Sequence, residues 1–211
     1  MKRRMGTRPF SSVTSAHSDL ISNYSELIVT YDATLEVLST ALDLREREAK
    51  GHSKRVTEMT LNLAKAMGVD SQELVNIRRG ASLHDVGNLG VPESILRKPS
   101  EPTTEEWTII HMHPQYGYEI MVPIALLRPA LDIPYCHHEK WDGSGYPRGL
   151  KGKEIPLAAR IFSVVDVSDA LSYDRPNRAA WSTEKVREYI RDESGTRFDP
   201  AVVEVFLQLD N

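Results

Sequence analysis

The run from Leu157 to Leu171, LAARIFSVVDVSDAL, places acids inside the most apolar helical stretch of the chain. Pro156 stands at its start, where a helix tolerates a missing N–H, and the run is apolar around most of its circumference. It reads as the buried central helix of the fold. Asp166 sits among Val164, Val165 and Val167, and a buried carboxylate costs several kcal/mol unless a cation or hydrogen-bond donors meet it. The remainder of the chain must bring such groups to Asp166, and a metal ion is the simplest of them.

The other elements are also helical. From Asp19 to Lys50, Leu20, Tyr24, Leu27, Tyr31, Leu35, Leu38 and Leu42 recur at spacings of three and four. This narrow stripe suits either packing on a globular body or the seam of a homodimeric coiled coil. Residues 1–17 are aperiodic and rich in Ser, Thr, Arg and Lys, which predicts a flexible arm, a long helix over 18–50 and a core domain over 51–211.

Within the core, Ser53 is the expected N-cap of a helix ending before Gly68, and Asp70 with Glu73 matches a capping box. The two glycines and the proline of Val86–Pro92 predict a loop, with Pro92 at N1 of a short helix. Thr103 with Glu106 is a second capping box. Helices are expected over Tyr116–Met121 and from Pro129 towards His137, bent at Pro134. Ser182 or Thr183, and Asp199 before Pro200, cap the last two. No segment alternates with period two over a useful length, so the fold is expected to be all-α.

A net charge of −4 with scattered Lys and Arg excludes a global attraction to nucleic acid. No apolar run approaches the ~20 residues that cross a bilayer. The basic N-terminus lacks the apolar core of a secretory signal. Cys136 is the single cysteine, which fits a buried small residue in a reducing compartment and predicts a cytoplasmic location.

The chemistry gathers in a loop-rich stretch, His137-His138-Glu139-Lys140-Trp141-Asp142-Gly143-Ser144-Gly145-Tyr146-Pro147. Paired imidazoles before an acidic, glycine-rich turn point to a metal. His52, His84, Asp85, His113 and Asp166 complete a set of candidate ligands whose nitrogen and oxygen donors suit iron, manganese or zinc better than calcium or magnesium. A redox-neutral hydrolase is the natural use of such a site.

At these residues the chain resembles the HD-GYP phosphodiesterases of the HD metal-dependent phosphohydrolase superfamily. The likeness runs from about residue 40 to 207. It is carried by Gly51-His52-Ser53-Lys54-Arg55-Val56, His84-Asp85-Val86-Gly87, Val91-Pro92-Glu93, His113-Pro114 with Gly117, and the loop above. It continues through Gly149-Leu150-Lys151-Gly152, Ile155–Ile161, Asp166 with Asp169-Ala170-Leu171, and Phe198-Asp199-Pro200.

The resemblance implies a helical bundle that hydrolyses cyclic di-GMP to pGpG or GMP at two or three iron or manganese ions sharing a water. His52, His84, Asp85 and Asp166 would hold one ion. Asp85, as the bridge, would hold a second with His113, His137 and His138. Glu48 is either a ligand of a three-metal version or an exposed carboxylate at a helix end. Tyr146, Arg175, Arg178 and Asp169 are the expected substrate contacts, although the two arginines also suit a helix C-terminus. Glu139 and Asp142 are expected to orient the histidines and the turn.

Where the family has His-Asp-x-Gly-Lys, this chain has Asn88, which donates hydrogen bonds but brings no charge. Asn88 therefore stands beside Asp85 as the residue governing turnover, and a cyclic di-GMP receptor that cleaves poorly is the alternative reading. The long helix would serve a stand-alone output unit or receive a signal from a regulatory partner.

Overall fold

Helix α8 (Leu157–Ser172) runs through the centre of the molecule, with Ala159, Ile161, Phe162 and Val164 wholly withdrawn from solvent. The structure is a computed structural model that describes residues 11–46, 51–98, 100–174 and 178–209. Among them every regular element is helical. Around α8 pack α2 (His52–Ala66), α7 (Asp132–Cys136), α9 (Thr183–Asp192) and α10 (Pro200–Gln208). Val56, Leu61 and Leu63 of α2, Val186 and Ile190 of α9, and Val202 and Phe206 of α10 join Phe162 and Val164 in one apolar core. Helix α3 (Ser71–Ser82) lies against α2 and adds Ile77 and Ala81. The remaining short helices are α4 (Glu93–Leu96), α5 (Thr104–Ile110) and α6 (His113–Met121).

The long first helix, α1, spans Ser11–Glu46. It starts inside the segment expected to be an arm, because Ser and Thr there carry no apolar stripe to betray a helix. Only Leu35 and Leu42 of the predicted stripe are buried, in a second cluster with Leu83, Val86, Met121 and Leu127. Leu20, Tyr24, Leu27 and Leu38 stay exposed. Arg79 of α3 fastens this helix from the other side, its Nε donating to Asp32 Oδ1 at 2.8 Å. No described helix is long and apolar enough to cross a membrane.

Several boundaries differ from the sequence-based expectation for local reasons. Gly51, not Ser53, is the N-cap of α2, since the Ser53 hydroxyl donates to Asp43 instead. The Val86–Gly90 segment is a 3-10 turn rather than an irregular loop, closed by Asn88 N–H to Asp85 O at 2.9 Å and Val91 N–H to Asn88 O at 3.0 Å. Pro92 and Pro156 are N-caps rather than first helical residues. Asp70 caps α3, but Glu73 accepts from Asn76 and does not close the box. Pro129 falls in a 3-10 turn (Ala125–Ala130), and Pro134 lies in the first turn of α7, where no N–H is needed. The Thr103–Glu106 box and the Ser182 and Asp199 caps form as expected.

Gly87 sets how closely the 3-10 turn approaches α6. A Cβ at this position would lie 1.8 Å from the His113 carbonyl oxygen and 2.5 Å from the Gly117 nitrogen, so only glycine fits. Gly87→Ala is expected to destabilise the fold by about 1–3 kcal/mol through overpacking. Phe162→Ala is expected to cost about 3–5 kcal/mol through its cavity. Denaturant unfolding of both variants measures these losses, and wild-type midpoints for both would contradict this account of the core.

Candidate metal centre

Seven side chains from separate parts of the chain gather into two sets. One comprises Asp85, His113, His137 and His138, the other His52, His84 and Asp166, with the donor atoms of each set within 4.8 Å of one another. His84 and Asp85 follow α3, His113 opens α6 just after α5, the histidine pair follows α7, His52 opens α2, and Asp166 projects from α8. Asp85 stands between the sets. Its Oδ2 lies 3.2 Å from His84 Nε2, while its Oδ1 lies 3.3 Å from His113 Nε2 and 3.6 Å from His137 Nε2. One carboxylate thus offers an oxygen to each set.

Three histidines are oriented by the same device. His84 Nδ1 donates to Ala81 O at 2.9 Å, His113 Nδ1 to Ile110 O at 2.8 Å, and His137 Nδ1 to Ile133 O at 3.0 Å. Each carbonyl belongs to the helix the histidine follows; Ala81 and Ile110 lie where a helix end leaves carbonyls without an internal partner, and Ile133 O also accepts from the His137 N–H at 3.0 Å. A carbonyl only accepts, so Nδ1 carries the proton, and in the neutral ring Nε2 keeps a lone pair turned to the centre. His52 begins its helix and has no preceding turn. Its Nδ1 donates to Asp169 Oδ2 at 2.7 Å, leaving Nε2 at 3.5 Å from Asp166 Oδ1.

The arrangement fits a cation. His113 Nε2 and His137 Nε2 are only 3.3 Å apart, with Asp85 Oδ1 beside both. Three lone-pair atoms facing one point repel one another unless a cation or a shared proton lies among them. Burial holds His113 down to about 4 and pushes His138 well below its usual range, so both stay neutral donors of electron pairs. Burial also opposes charge on His84 and Asp85. There the Asp85 carboxylate raises His84 to about 10, and the surrounding imidazoles hold Asp85 well below the usual carboxylate range. Imidazole and carboxylate donors in this number suit a first-row divalent ion.

Helix α8 furnishes one wall from successive turns of a single face. Phe162 lies 4.8 Å from the His84 ring and 5.9 Å from the His137 ring, centre to centre. Asp166, one turn on, is 22% exposed, so it opens to the site rather than lying sealed in the core. Asp169, expected at the substrate, stands behind His52. Its oxygens are taken by His52 and by Arg55, whose Nε and Nη2 donate at 2.7 and 2.9 Å.

The glycine-rich loop covers the histidine pair. The Tyr146 ring stacks on His138 at 4.8 Å and on His111 at 4.1 Å, leaving its edge and hydroxyl for a ligand. Burial keeps that hydroxyl protonated. Glu139 accepts from the Arg148 and Leu150 amides at 2.8 and 3.0 Å, and Asp142 from the Ser144 amide at 2.8 Å. These acids shape the turn, and both Glu139 oxygens serve the loop rather than a histidine. Asn88 is buried in the 3-10 turn behind Asp85.

The Arg178 guanidinium donates to the Ala170 and Leu171 carbonyls at the end of α8, the helix-terminus contact that its place in the sequence also suits. Glu48 and Arg175 lie outside the described residues. Sequence reasoning missed His111, whose only signal is its place two residues before His113. Cys136 is buried beside the site, and burial pushes its thiol up to about 12. It is expected to resist alkylation in the native protein at neutral pH, and rapid labelling without unfolding would contradict that. Asp169→Asn is expected to weaken Mn²⁺ binding by about 10–100-fold, as loss of a ligand's orienting partner does. Calorimetric titration checks it, and unchanged affinity would remove Asp169 from that role.

The family model described as "HD domain" matches residues 36–202. Among curated proteins, a 3′3′-cGAMP-specific phosphodiesterase of Vibrio cholerae is 39% identical over 173 residues, covering 81% of this chain and 33% of the relative. A cyclic di-GMP phosphodiesterase of Thermotoga maritima is 38% identical over 178 residues, covering 83% and 48%. A cyclic di-GMP phosphodiesterase response regulator of Xanthomonas campestris is 34% identical over 196 residues, covering 92% and 52%. The chain thus spans a third to a half of the length of these relatives. In solved structures, a cyclic GMP-AMP specific phosphodiesterase of V. cholerae shares the fold with a TM-score of 0.67 and 22% identity, over 84% of this chain and 48% of that one. With its paired histidine sets and the two-sided Asp85, the chain belongs to the HD domain family.

Proposed function

We propose that this domain is a metal-dependent phosphodiesterase that opens cyclic di-GMP to pGpG and on to GMP. The observation that carries the reading is Asp85, with one oxygen turned to each histidine set. Relatives named as cyclic di-GMP or cGAMP phosphodiesterases supply the substrate class. In this reading His52, His84, Asp85 and Asp166 hold one iron or manganese ion, and Asp85, His113, His137 and His138 a second. Glu48 is the candidate ligand of a third, and the setting is cytoplasmic.

Bound there, such ions supply Lewis-acid polarisation of the phosphate and a water acidified enough to act at neutral pH. The chain's own residues do the rest. Nδ1-anchored imidazoles keep Nε2 turned to the site, so the rings need not reorient on loading, although His84 must give up the proton it holds beside Asp85. The protonated Tyr146 hydroxyl, held beside His138, donates to a phosphate oxygen. Asn88 offers an amide next to Asp85 but no charge, which leaves neutralisation of the dianion to the ions and to Arg175. No side chain is needed as a nucleophile, in keeping with the buried, protonated Cys136. The receptor alternative rests on Asn88 alone, and the relatives above carry the names of enzymes.

The exposed Leu20, Tyr24, Leu27 and Leu38 support a further part of the reading, pairing of α1 with a second copy as a coiled-coil seam. Sedimentation of the full chain is expected to give a dimer that Leu27→Glu converts to monomer. A wild-type monomer would leave that face to a different partner and end the homodimer reading.

Anaerobically purified protein loaded with Fe²⁺ or Mn²⁺ is expected to consume cyclic di-GMP in a panel that includes 3′3′-cGAMP, with chelation stopping the reaction. Asp85→Asn should lower kcat by more than about 100-fold, since even loss of a ligand's outer partner can cost that much. Failure of metal-loaded protein to turn over any cyclic dinucleotide would defeat the enzyme reading.

A further inference from the structure

The last turns of α1 touch the segments beside both ligand sets, although no residue of α1 among the described side chains belongs to either set. Helix α2 begins at Gly51–His52 with a cap residue that has no side chain, so its first N–H groups need an acceptor from elsewhere. Asp43 of α1 supplies it. Its Oδ2 accepts from the Ser53 N–H at 3.3 Å, and its Oδ1 accepts from the Ser53 hydroxyl. A carboxylate at a helix N-terminus is favoured by the helix dipole as well as by the hydrogen bond. The residue before Ser53 is His52.

Two positions on, Arg45 does the converse for the turn that follows Asp85. Its Nη1 donates to Asn88 O at 2.5 Å and its Nη2 to Val91 O at 3.1 Å, a forked contact that fits guanidinium geometry. These carbonyls belong to the Val86–Gly90 turn and the residue that closes it, and Asn88 N–H is bonded to Asp85 O. Arg97 Nε in turn donates to Arg45 O at 3.3 Å, tying the clamp to the end of α4. Acid and base on one helix end therefore hold the start of the His52 helix and the turn of the bridging carboxylate.

Resting on the reading of the cluster as a two-ion centre, we propose that Asp43 and Arg45 are positioning residues that fix the separation between the His52 set and Asp85, and thereby the spacing of the ion pair. Neither side chain touches the ions or the substrate. Arg45 acts on both sets because Asp85 serves both, whereas Asp43 acts through His52 on one.

The test is Mn²⁺ titration of the full chain followed by electron paramagnetic resonance, with circular dichroism and an unfolding midpoint for each variant. Arg45→Met is expected to lose the coupled signal of two neighbouring Mn²⁺ ions and about 10–100-fold in affinity, with helicity retained. Asp43→Asn should weaken one of the two binding steps and spare the other. Arg45→Lys, which keeps the charge but not the fork, should fall between wild type and Arg45→Met, and it remains informative if Arg45→Met folds poorly. With cyclic di-GMP the losses should appear in kcat rather than KM. Wild-type affinity and coupling in both Arg45 variants would overturn the proposal, as would losses that only follow loss of helicity. Absence of Mn²⁺ binding by wild type would instead overturn the two-ion reading beneath it.

Discussion

The hydrogen bond made by Nδ1 of His52, His84, His113 and His137 is the interaction on which the centre depends. In His84, His113 and His137 that bond satisfies a carbonyl near a helix end and fixes the ring's tautomer and direction at once. Helix termination and ligand presentation are the same contact, so neither can drift without the other. His52, placed at a helix start, cannot use this device and takes Asp169 from α8 instead. That substitution explains why the central helix carries a second acid almost sealed from solvent.

Helix α8 is consequently both core and wall. Its apolar faces hold α2, α9 and α10 together, while Phe162, Asp166 and Asp169 present three different chemistries on one side: an aromatic surface for the imidazoles, an open carboxylate and an anchor for His52. Core packing thus determines where the ligands stand. Gly87 extends the same principle outward, because the turn carrying Asp85 reaches the start of α6 only where no side chain intervenes.

Much of this was legible from residue types and spacing. The all-helical elements and the caps at Thr103, Ser182 and Asp199 follow from local chemistry that a sequence displays directly, while the grouping of the seven donors into two sets came from the family resemblance. What escaped depends on partners distant in the chain. Nothing local reveals that His52 lies beside Asp169 and the end of α8 beside Arg178. The Ser53 hydroxyl looked like a cap until Asp43 claimed it. The early start of α1 was hidden because an apolar period, not helicity itself, is what a sequence shows.

Helices α3, α5 and α7 all end close to the two ligand sets. Each end carries partial negative charge from its outward carbonyls, and this adds to the charges of Asp85 and Asp166. The pocket is therefore disposed towards cations, opposed only by the charge that Asp85 induces on His84.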